Sequence, residues 1–475
     1  MHSAPMDNAL RRANKTMWSR RDALIGGSAA ILSGMAPRSA WGRTQADVII
    51  IGAGLSGLNA ARILGAAGQR VIVIEAENRI GGRLHTLDDL PRRPEAGGIQ
   101  VGSGYTNLRA IAAELNVALV PSGNEGRGAL YRINGTNVSE ADWAGSPANH
   151  LSGVERKLLP AALGGYYAGK LPKLDTTQSW MTADVLDVSY AAKLKELGAS
   201  EEAMRLIQAN FNGNDLADMS ALHMARSAAI FRTGPGPIYT INGGSQRLPE
   251  AMAAALAAPV RLKTIVAGLS EHKDGVSVAL TGGKALFARH VICTIPFAAL
   301  RQIKIKANLA RSIKTAISIL PYTQANFAYL SASEAFWKND GLPETIWSDD
   351  PSVGRVFVLG SNPPMLKVWR SGTHSRFHMS EEQNAADIIA RIEAARPSAK
   401  GKLKFLRHYD WGRSPFARGI YHHLGVGLGA TMAVAIQAKP GRLHFAGEHM
   451  AMHSSGMEGA LESGKRVAEM LITKS

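Results

Sequence analysis

Residues 47–76 read DVIIIGAGLSGLNAARILGAAGQRVIVIEA, and this stretch narrows the possible folds more than any other. Residues 48–51 are an unbroken apolar run of strand length. Gly52, Gly54 and Gly57 follow at the spacing G-x-G-x-x-G. Leu58, Ala61, Ile63, Leu64 and Ala67 then recur at helical period, and Gly68 is the residue type that ends helices. Residues 71–74 are a second apolar run, closed by Glu75 and Ala76. The pattern predicts the first crossover of a parallel sheet. Gly52 makes the tight turn, Gly54 lets backbone approach a pyrophosphate, and Gly57 lets helix and strand pack closely. The helix start offers unpaired N–H groups and the positive end of its dipole to phosphates. Glu75 stands where an acid accepts hydrogen bonds from ribose hydroxyls. Ala53, Leu55 and Ser56 complete the loop, so the whole stretch reads as a dinucleotide site.

The rest of the chain limits what surrounds that site. A chain of 475 residues is too long for one simple core and implies two or more domains or one large composite fold. Hydrophobic residues make up 45% and charged residues 19%, a globular balance. Cys293 is the one cysteine, which excludes an internal disulfide and a cysteine-cluster metal centre. The formal net charge is +16, of which residues 1–46, with seven Lys/Arg and two Asp/Glu, supply +5. No basic block with interleaved aromatics stands out, so no nucleic-acid partner is expected.

The N-terminus reads as an address. Arg20 and Arg21 precede a mildly apolar run at 23–36. That run is shorter than the about 20 residues a membrane helix needs, and its order, charge then apolar run, is that of an export signal. SRRDAL resembles the twin-arginine signal, which carries proteins already folded. Residues 1–46 are therefore expected to be signal and linker, with Ala40 and Ala46 as candidate cleavage points. The twin-arginine machinery is the expected partner and the periplasm, or export beyond it, the expected location. No other segment is long and apolar enough to span a membrane.

The motifs that follow choose between nicotinamide and flavin. Arg79, Gly81, Gly82 and Arg83 come just after Glu75-Ala76, and Glu95-Ala96-Gly97-Gly98 a little later. Further on stand Gly243-Gly244 with Leu248-Pro249, the run 291–296 ending in Thr294-Ile295-Pro296, and Asp410-Trp411 with Pro415-Phe416 and Gly419. Near the end come Phe445-Ala446-Gly447-Glu448 and Gly456-Met457-Glu458-Gly459-Ala460. In this order they resemble the flavin amine oxidase family, within the glutathione-reductase-like FAD superfamily, and the likeness covers about residues 47–465.

The resemblance implies an α/β, two-domain FAD-binding fold of Rossmann type. Its FAD domain would be discontinuous (47–125, 242–300, 405–475), and an α+β substrate domain would be built from 126–241 and 301–404. It assigns FAD contacts to Gly52, Ala53, Gly54, Leu55, Ser56, Gly57, Glu75, Ala76, Arg79, Gly82, Arg83, Gly98, Val266, Trp411, Gly447, Glu448 and Met457. The implied chemistry is oxidation of a small-molecule amine to an imine by hydride transfer to flavin N5, with oxygen or another electron acceptor reoxidising the flavin. An L-amino-acid oxidase, a desaturase-type C–C oxidoreductase and a non-catalytic flavoprotein are the alternatives. The stretch HSSGMEGALESGK, 453–465, gains a purpose on this reading. Its bare start leaves room for a flavin, and the N-terminus of its helix stabilises negative charge near flavin N1 and O2.

Three departures from the family pattern stand out. Relatives often carry an aromatic at the position of Gly456, one half of a cage for the amine. Here Tyr421 supplies the other half, with His453 or Trp347 as candidates to close the gap. A lysine that relatives place on a strand after the T-x-P segment is missing, with no lysine between Thr315 and Trp337. Gln324 or Asn326 are its candidate neutral substitutes. No cysteine lies in 417–420, so non-covalent FAD is expected. Tyr421, His453 and Gln324 are thus the expected catalytic residues. His444, His449 and His453 lack the pattern around them that a metal site needs, and no metal is expected.

Overall fold

The computed structural model describes residues 45–122, 128–375 and 380–473. The twin arginines and the apolar run at 23–36 lie outside the described residues. The first strand, β1 (Ala46–Ile51), enters a mixed sheet between β2 (Val71–Ile74) and the strand Ala285–Cys293, parallel to both. All six β1 residues are buried, as expected of a central parallel strand covered on both faces. Alternation sorts them. Ile49 and Ile51 join one apolar core, while Val48 and Ile50 join another. The sheet continues antiparallel through Val276–Leu280 to Val266–Glu271, and Leu443–Phe445 pairs with Ala285–Cys293 on a branch.

The helix that starts after Gly54 and takes in Gly57, α1 (Leu55–Ala66), buries Leu58, Ala61 and Leu64 in the second core. Gly68, at φ +79°, ends it by letting its own and the next amide turn back to the carbonyls of Gly65 and Leu64. Across that core lies the C-terminal helix, α2 (Gly456–Ile472), which presents Leu461, Val467, Ala468 and Leu471. The two helices touch at close range. A Cβ at Gly464 would stand 2.2 Å from the Ser56 carbonyl oxygen, and Asn59 donates to the Leu461 carbonyl at 2.9 Å. Truncating Leu461 to Ala would cost about 2–5 kcal/mol, because its site is fully enclosed.

A second sheet of seven strands runs in the order Leu403–Asp410, Ala325–Ala332, Pro364–Ser371, Arg355–Ser361, Thr345–Ser348, Ala129–Ile133, Thr136–Val138. It is antiparallel except where Thr345–Ser348 meets Ala129–Ile133. Its register lines up Tyr409, Phe327, Trp369, Arg355, Trp347 and Tyr131 as a single transverse row. Helices Pro160–Ala168, Glu201–Ala209 and Ala221–Arg232 fill the first long segment; apolar spacing predicts helices over 201–210 and 219–227, as found, and one over 154–163, where the chain instead makes a short 3-10 turn at Glu155–Lys157 and starts its helix at Pro160, the residue type suited to a first helical position. The helix Glu381–Ala395 starts at N-cap Ser380, as its sequence predicts, and Gln383 completes a reciprocal capping box.

Both sheets belong to one compact unit, Thr44–Ser475. Segments from each third of the chain interleave in them, which places the dinucleotide loop opposite the second sheet. Among the described residues no helix is long and apolar enough to cross a membrane.

Candidate active site

A cavity of about 1490 Å³ opens between the two sheets. At one end it is walled by the β1–α1 turn (Gly52, Gly54, Leu55, Ser56), by Glu75 and Ala76, and by Gly81–Arg83. The glycines answer to steric demands. Gly52 sits at φ +107°, and a Cβ on it would meet Thr294 Oγ1 at 2.4 Å; a Cβ on Gly57 would meet the Gly52 carbonyl at 2.1 Å. At Gly54 the nearest atom to such a Cβ is 4.0 Å away, so that backbone is bare toward the cavity. The N-terminus of α1 has no side-chain cap, leaving its amides for a ligand. Glu75 is anchored by Ala53 N and Glu77 N, each donating at 2.8 Å to one carboxylate oxygen. An uncapped helix start, a bare glycine backbone and a fixed acid together fit an adenosine diphosphate moiety.

The same cavity is lined by Gly98, Trp411, Gly447, Glu448 and Met457, and near Glu75, to whose carbonyl Thr264 N donates, by Val266, all expected from the sequence. Trp411 donates its indole N–H to the Ala96 carbonyl, locking the Glu95–Gly98 segment. Glu448 carries the densest polar network. Its carboxylate accepts from Arg83 Nη1 at 2.8 Å, His422 Nδ1 at 2.5 Å and His422 N at 3.1 Å. Burial pushes this carboxyl upward, but His422 and Arg83 prevail and hold it well below the usual carboxylate range. The N-terminus of α2 also reaches the cavity without a side-chain cap, through Gly456 and Met457. Its dipole favours negative charge there. Gly456 sits at φ +55°, so a backbone requirement, besides space, explains why no aromatic stands at that position.

Three expected cofactor residues stand behind the wall. Ala53 is fully buried. Gly57 serves helix–strand packing. Arg79 donates to the carbonyls of Gly82 (2.6 Å) and Leu84 (3.0 Å) and pairs with Glu77, so it braces the Gly81–Gly82 turn.

At the far end the transverse row of the second sheet forms the wall. Phe327, Trp369, Arg355 and Trp347 line it together with Tyr421, Phe357, Lys367 and Asn212. Tyr421 lies here as expected and donates its hydroxyl to the Asn212 carbonyl at 2.9 Å. Burial raises its phenol above the ordinary value, so it stays protonated. Trp347 lines the same chamber, while His453 does not. The His453 ring is exposed and is held by Gln178 at 2.9 Å and Thr177 at 3.4 Å. Gln324 is also turned away, donating to the carbonyls of Tyr322 (3.1 Å) and Arg418 (3.2 Å). Asn326 is fully buried against Arg370. These placements remove His453, Gln324 and Asn326 from the cavity wall.

The sequence looked for a lysine on the strand Ala325–Ala332 and found none. The neighbouring strand supplies one. Lys367 pairs with Tyr329 in register, and its Nζ lies 4.2 Å from the Phe327 ring centroid and donates to the Glu95 carbonyl at 2.7 Å. Strand pairing, invisible in one sequence, is what brings it there.

The three histidines near the C-terminus go separate ways. His444 meets His290 and His449 packs on Phe297, where burial lowers its imidazole to about 3. Among the described residues no group of three or more metal-ligating side chains converges.

Known proteins fit this geometry. The flavin containing amine oxidoreductase family matches residues 55–472. An L-amino-acid oxidase of Siganus canaliculatus is 26% identical over 90% of this chain and 85% of its own. The human flavin-containing amine oxidase B is 22% identical over 90% and 86%. Among solved structures, cyclohexylamine oxidase from Brevibacterium oxydans superposes with a TM-score of 0.74 at 24% identity, covering 90% of this chain and 99% of that one. Putrescine oxidase bound to putrescine gives 0.72, also at 24%, covering 90% and 99%. With nearly all of its described length matched, the chain belongs to the flavin-containing amine oxidoreductase family.

Proposed function

We propose that this FAD-dependent amine oxidase acts on its substrate at the Tyr421 end of the cavity, holds FAD without a covalent bond, passes electrons to oxygen and is exported folded by a twin-arginine signal. One observation carries the catalytic part: a continuous cavity joins the dinucleotide loop at Gly52–Ser56 to an aromatic chamber at Tyr421, Trp347 and Trp369.

When bound, FAD supplies the acceptor for a hydride equivalent from the carbon next to the amine nitrogen. The chain supplies position and field. Glu75 and the start of α1 hold the adenosine diphosphate end. The start of α2 stabilises negative charge gained in the middle of the cavity. Tyr421 is pinned by Asn212, so its ring holds one orientation against the substrate. The aromatic walls exclude water, and the imine product hydrolyses once it meets water. Cys293 is fully buried and outside the cavity wall, which supports non-covalent binding.

Anaerobic addition of an amine panel to the flavin-loaded protein tests this reading. Expected is bleaching of the flavin, with colour and one peroxide per turnover returning in air. A panel that never bleaches it refutes amine oxidation. Recolouring only with an added dye refutes the oxygen assignment. Acid precipitation should release the flavin; flavin in the pellet would show a covalent bond. For export, the pair Arg20→Lys and Arg21→Lys should leave the protein in the cytoplasm, and unchanged export would remove the signal assignment.

A further inference from the structure

Resting on that reading, we propose that Arg355 is a carboxylate-binding residue and that the substrate is an amino acid rather than a plain amine or a diamine. Arg355 opens the strand Arg355–Ser361 and stands in the transverse row between Trp369 and Trp347. It is the one cationic side chain in an otherwise aromatic row of the cavity wall. Its Cζ lies 5.2 Å from the Trp369 ring centroid, and Nη2 donates to Asn212 Oδ1 at 2.8 Å. Its Nε is buried and meets no acceptor among the described residues. Among the described residues it forms no ion pair: no carboxylate oxygen lies within 4.0 Å of it.

Other arginines at least partly enclosed by the fold differ. Arg83 shares the cavity but is matched by Glu448, and Arg396 is matched by Asp340. Arg226 gives Nη2 to the carbonyls of Ala451 and Ser454, and its Nε likewise meets no acceptor among the described residues, but Arg226 stands outside the cavity wall, where no substrate reaches it. A guanidinium kept among tryptophans without an acid is costly, since a desolvated charge needs a counter-charge and a full set of acceptors. Burial lowers its pKa from the ordinary arginine value, with Tyr421 opposing the change; arginine stays cationic at neutral pH all the same. A planar carboxylate meets both needs, because the guanidinium fork accommodates its two oxygens and includes Nε–H.

Asn212 fixes the distance from this charge to the reacting end. Its side-chain oxygen receives Arg355 and its carbonyl receives Tyr421, so both residues are tied to one backbone unit. A substrate with its carboxylate on Arg355 therefore has its amino group beside the Tyr421 ring. Trp347, Trp369 and Phe357 leave an apolar surface for the remaining side chain. The opposing possibility, a diamine, would use Glu140 and Glu344. Both line the cavity but are exposed, and Glu140 is already engaged by Ala129 N at 2.9 Å. An exposed acid contributes little to binding compared with a half-buried cation whose Nε is enclosed and which no carboxylate matches.

The test pairs each amino acid with its decarboxylated amine: phenylalanine with phenethylamine, leucine with isoamylamine, and ornithine with putrescine. Flavin reduction is followed anaerobically in the holoenzyme. Benzoate serves as an unreactive carboxylate probe, read as a shift of the flavin spectrum. Expected is faster reduction by the amino acid in each pair, with saturable benzoate binding. In Arg355→Met, kcat/KM for amino acids falls about 100-fold or more and benzoate binding is lost, while the plain amines change by less than about threefold. Arg355→Lys, which keeps the charge without the fork, should fall between. Retained flavin at one per chain shows that each variant is folded. Preference for putrescine, or equal losses on amines and amino acids in Arg355→Met, overturns the proposal. Bleaching by amines without any benzoate shift also overturns it. A benzoate shift that depends on Arg355 but no bleaching by either class supports the carboxylate site and refutes the amine-oxidation reading instead.

Discussion

Replacing Glu448 with Gln probes how the flavin site is held together. The carboxylate accepts three hydrogen bonds, from Arg83 Nη1 and from the side chain and backbone of His422, in an almost fully buried setting. Hydrogen bonds to a charged group contribute about 1.5–3 kcal/mol each. Gln retains one neutral acceptor but turns N–H donors toward donors and leaves Arg83 unmatched. Removing one partner of a buried pair costs about 3–5 kcal/mol, and that range is the expected loss at pH 7.5. Domain stabilities are roughly 5–15 kcal/mol, so the change should be plain in urea unfolding followed by far-UV circular dichroism. The pH dependence has a definite sign. The folded carboxyl lies below its unfolded value, so Glu448 adds stability that is fully present above about pH 4.5, the unfolded value, and fades as pH falls toward the folded one. The gap between wild type and Glu448→Gln should therefore be constant from pH 6 to 8 and narrow below pH 4.5. A gap under about 1 kcal/mol at pH 7.5, or one that widens in acid, would refute the account of Arg83, His422 and Glu448 as a coupled network.

Tyr421→Ala removes the pinned ring from the chamber, and flavin reduction should slow by about 100-fold, as expected when a positioning group is lost; stopped-flow absorbance reads it, and an unchanged rate would dismiss the residue. Lys367→Met deletes a cation from the cavity wall, so reoxidation by oxygen should slow by about tenfold or more in air-admission experiments. Gly57→Ala drives a Cβ into the Gly52 carbonyl. It should cost about 1–3 kcal/mol and most of the bound flavin, seen as a lower absorbance ratio at 450 to 280 nm; full flavin occupancy would show that α1 can move aside.

Local rules carried the sequence reading as far as local rules reach. The β1–α1–β2 unit is fixed by neighbouring residues, and its ends fall within a few residues of expectation because Gly52, Gly68 and Glu75 each do a job that few other residue types can. Helix Glu381–Ala395 is legible for the same reason, through Ser380 ahead of Glu381 and Glu382, while the Gln383 half of its capping box shows only in the structure. The chamber was harder. Arg355, Lys367 and Trp369 lie on two strands whose pairing decides that they share a row or a face with Phe327, and one sequence contains no record of pairing. His453 looked suited to the pocket because it precedes α2 by few residues. Its backbone instead caps on Glu462 and its ring faces Gln178. Gln324 fell in the expected stretch, but lies just before the strand Ala325–Ala332 begins, so it follows the loop rather than the wall. Gly456 was read as missing bulk, whereas its positive φ shows a backbone reason that composition cannot display.

The contact between α1 and α2 bears on how the protein is made. Ser56, in the first turn of α1 beside the loop that would cradle phosphates, touches Ser463 and Gly464, more than four hundred residues later. Strand β1 likewise needs Ala285–Cys293 as a neighbour. As the chain leaves the ribosome, the glycine loop emerges early and waits, with its second core still open on one side. Helix α2, whose Ser463 follows Ser56 by 407 residues, is what closes it. A nascent chain therefore gains its grip on the cofactor only once α2 has emerged, and a fragment ending before Gly464 would lack the helix that packs behind the phosphate-binding turn.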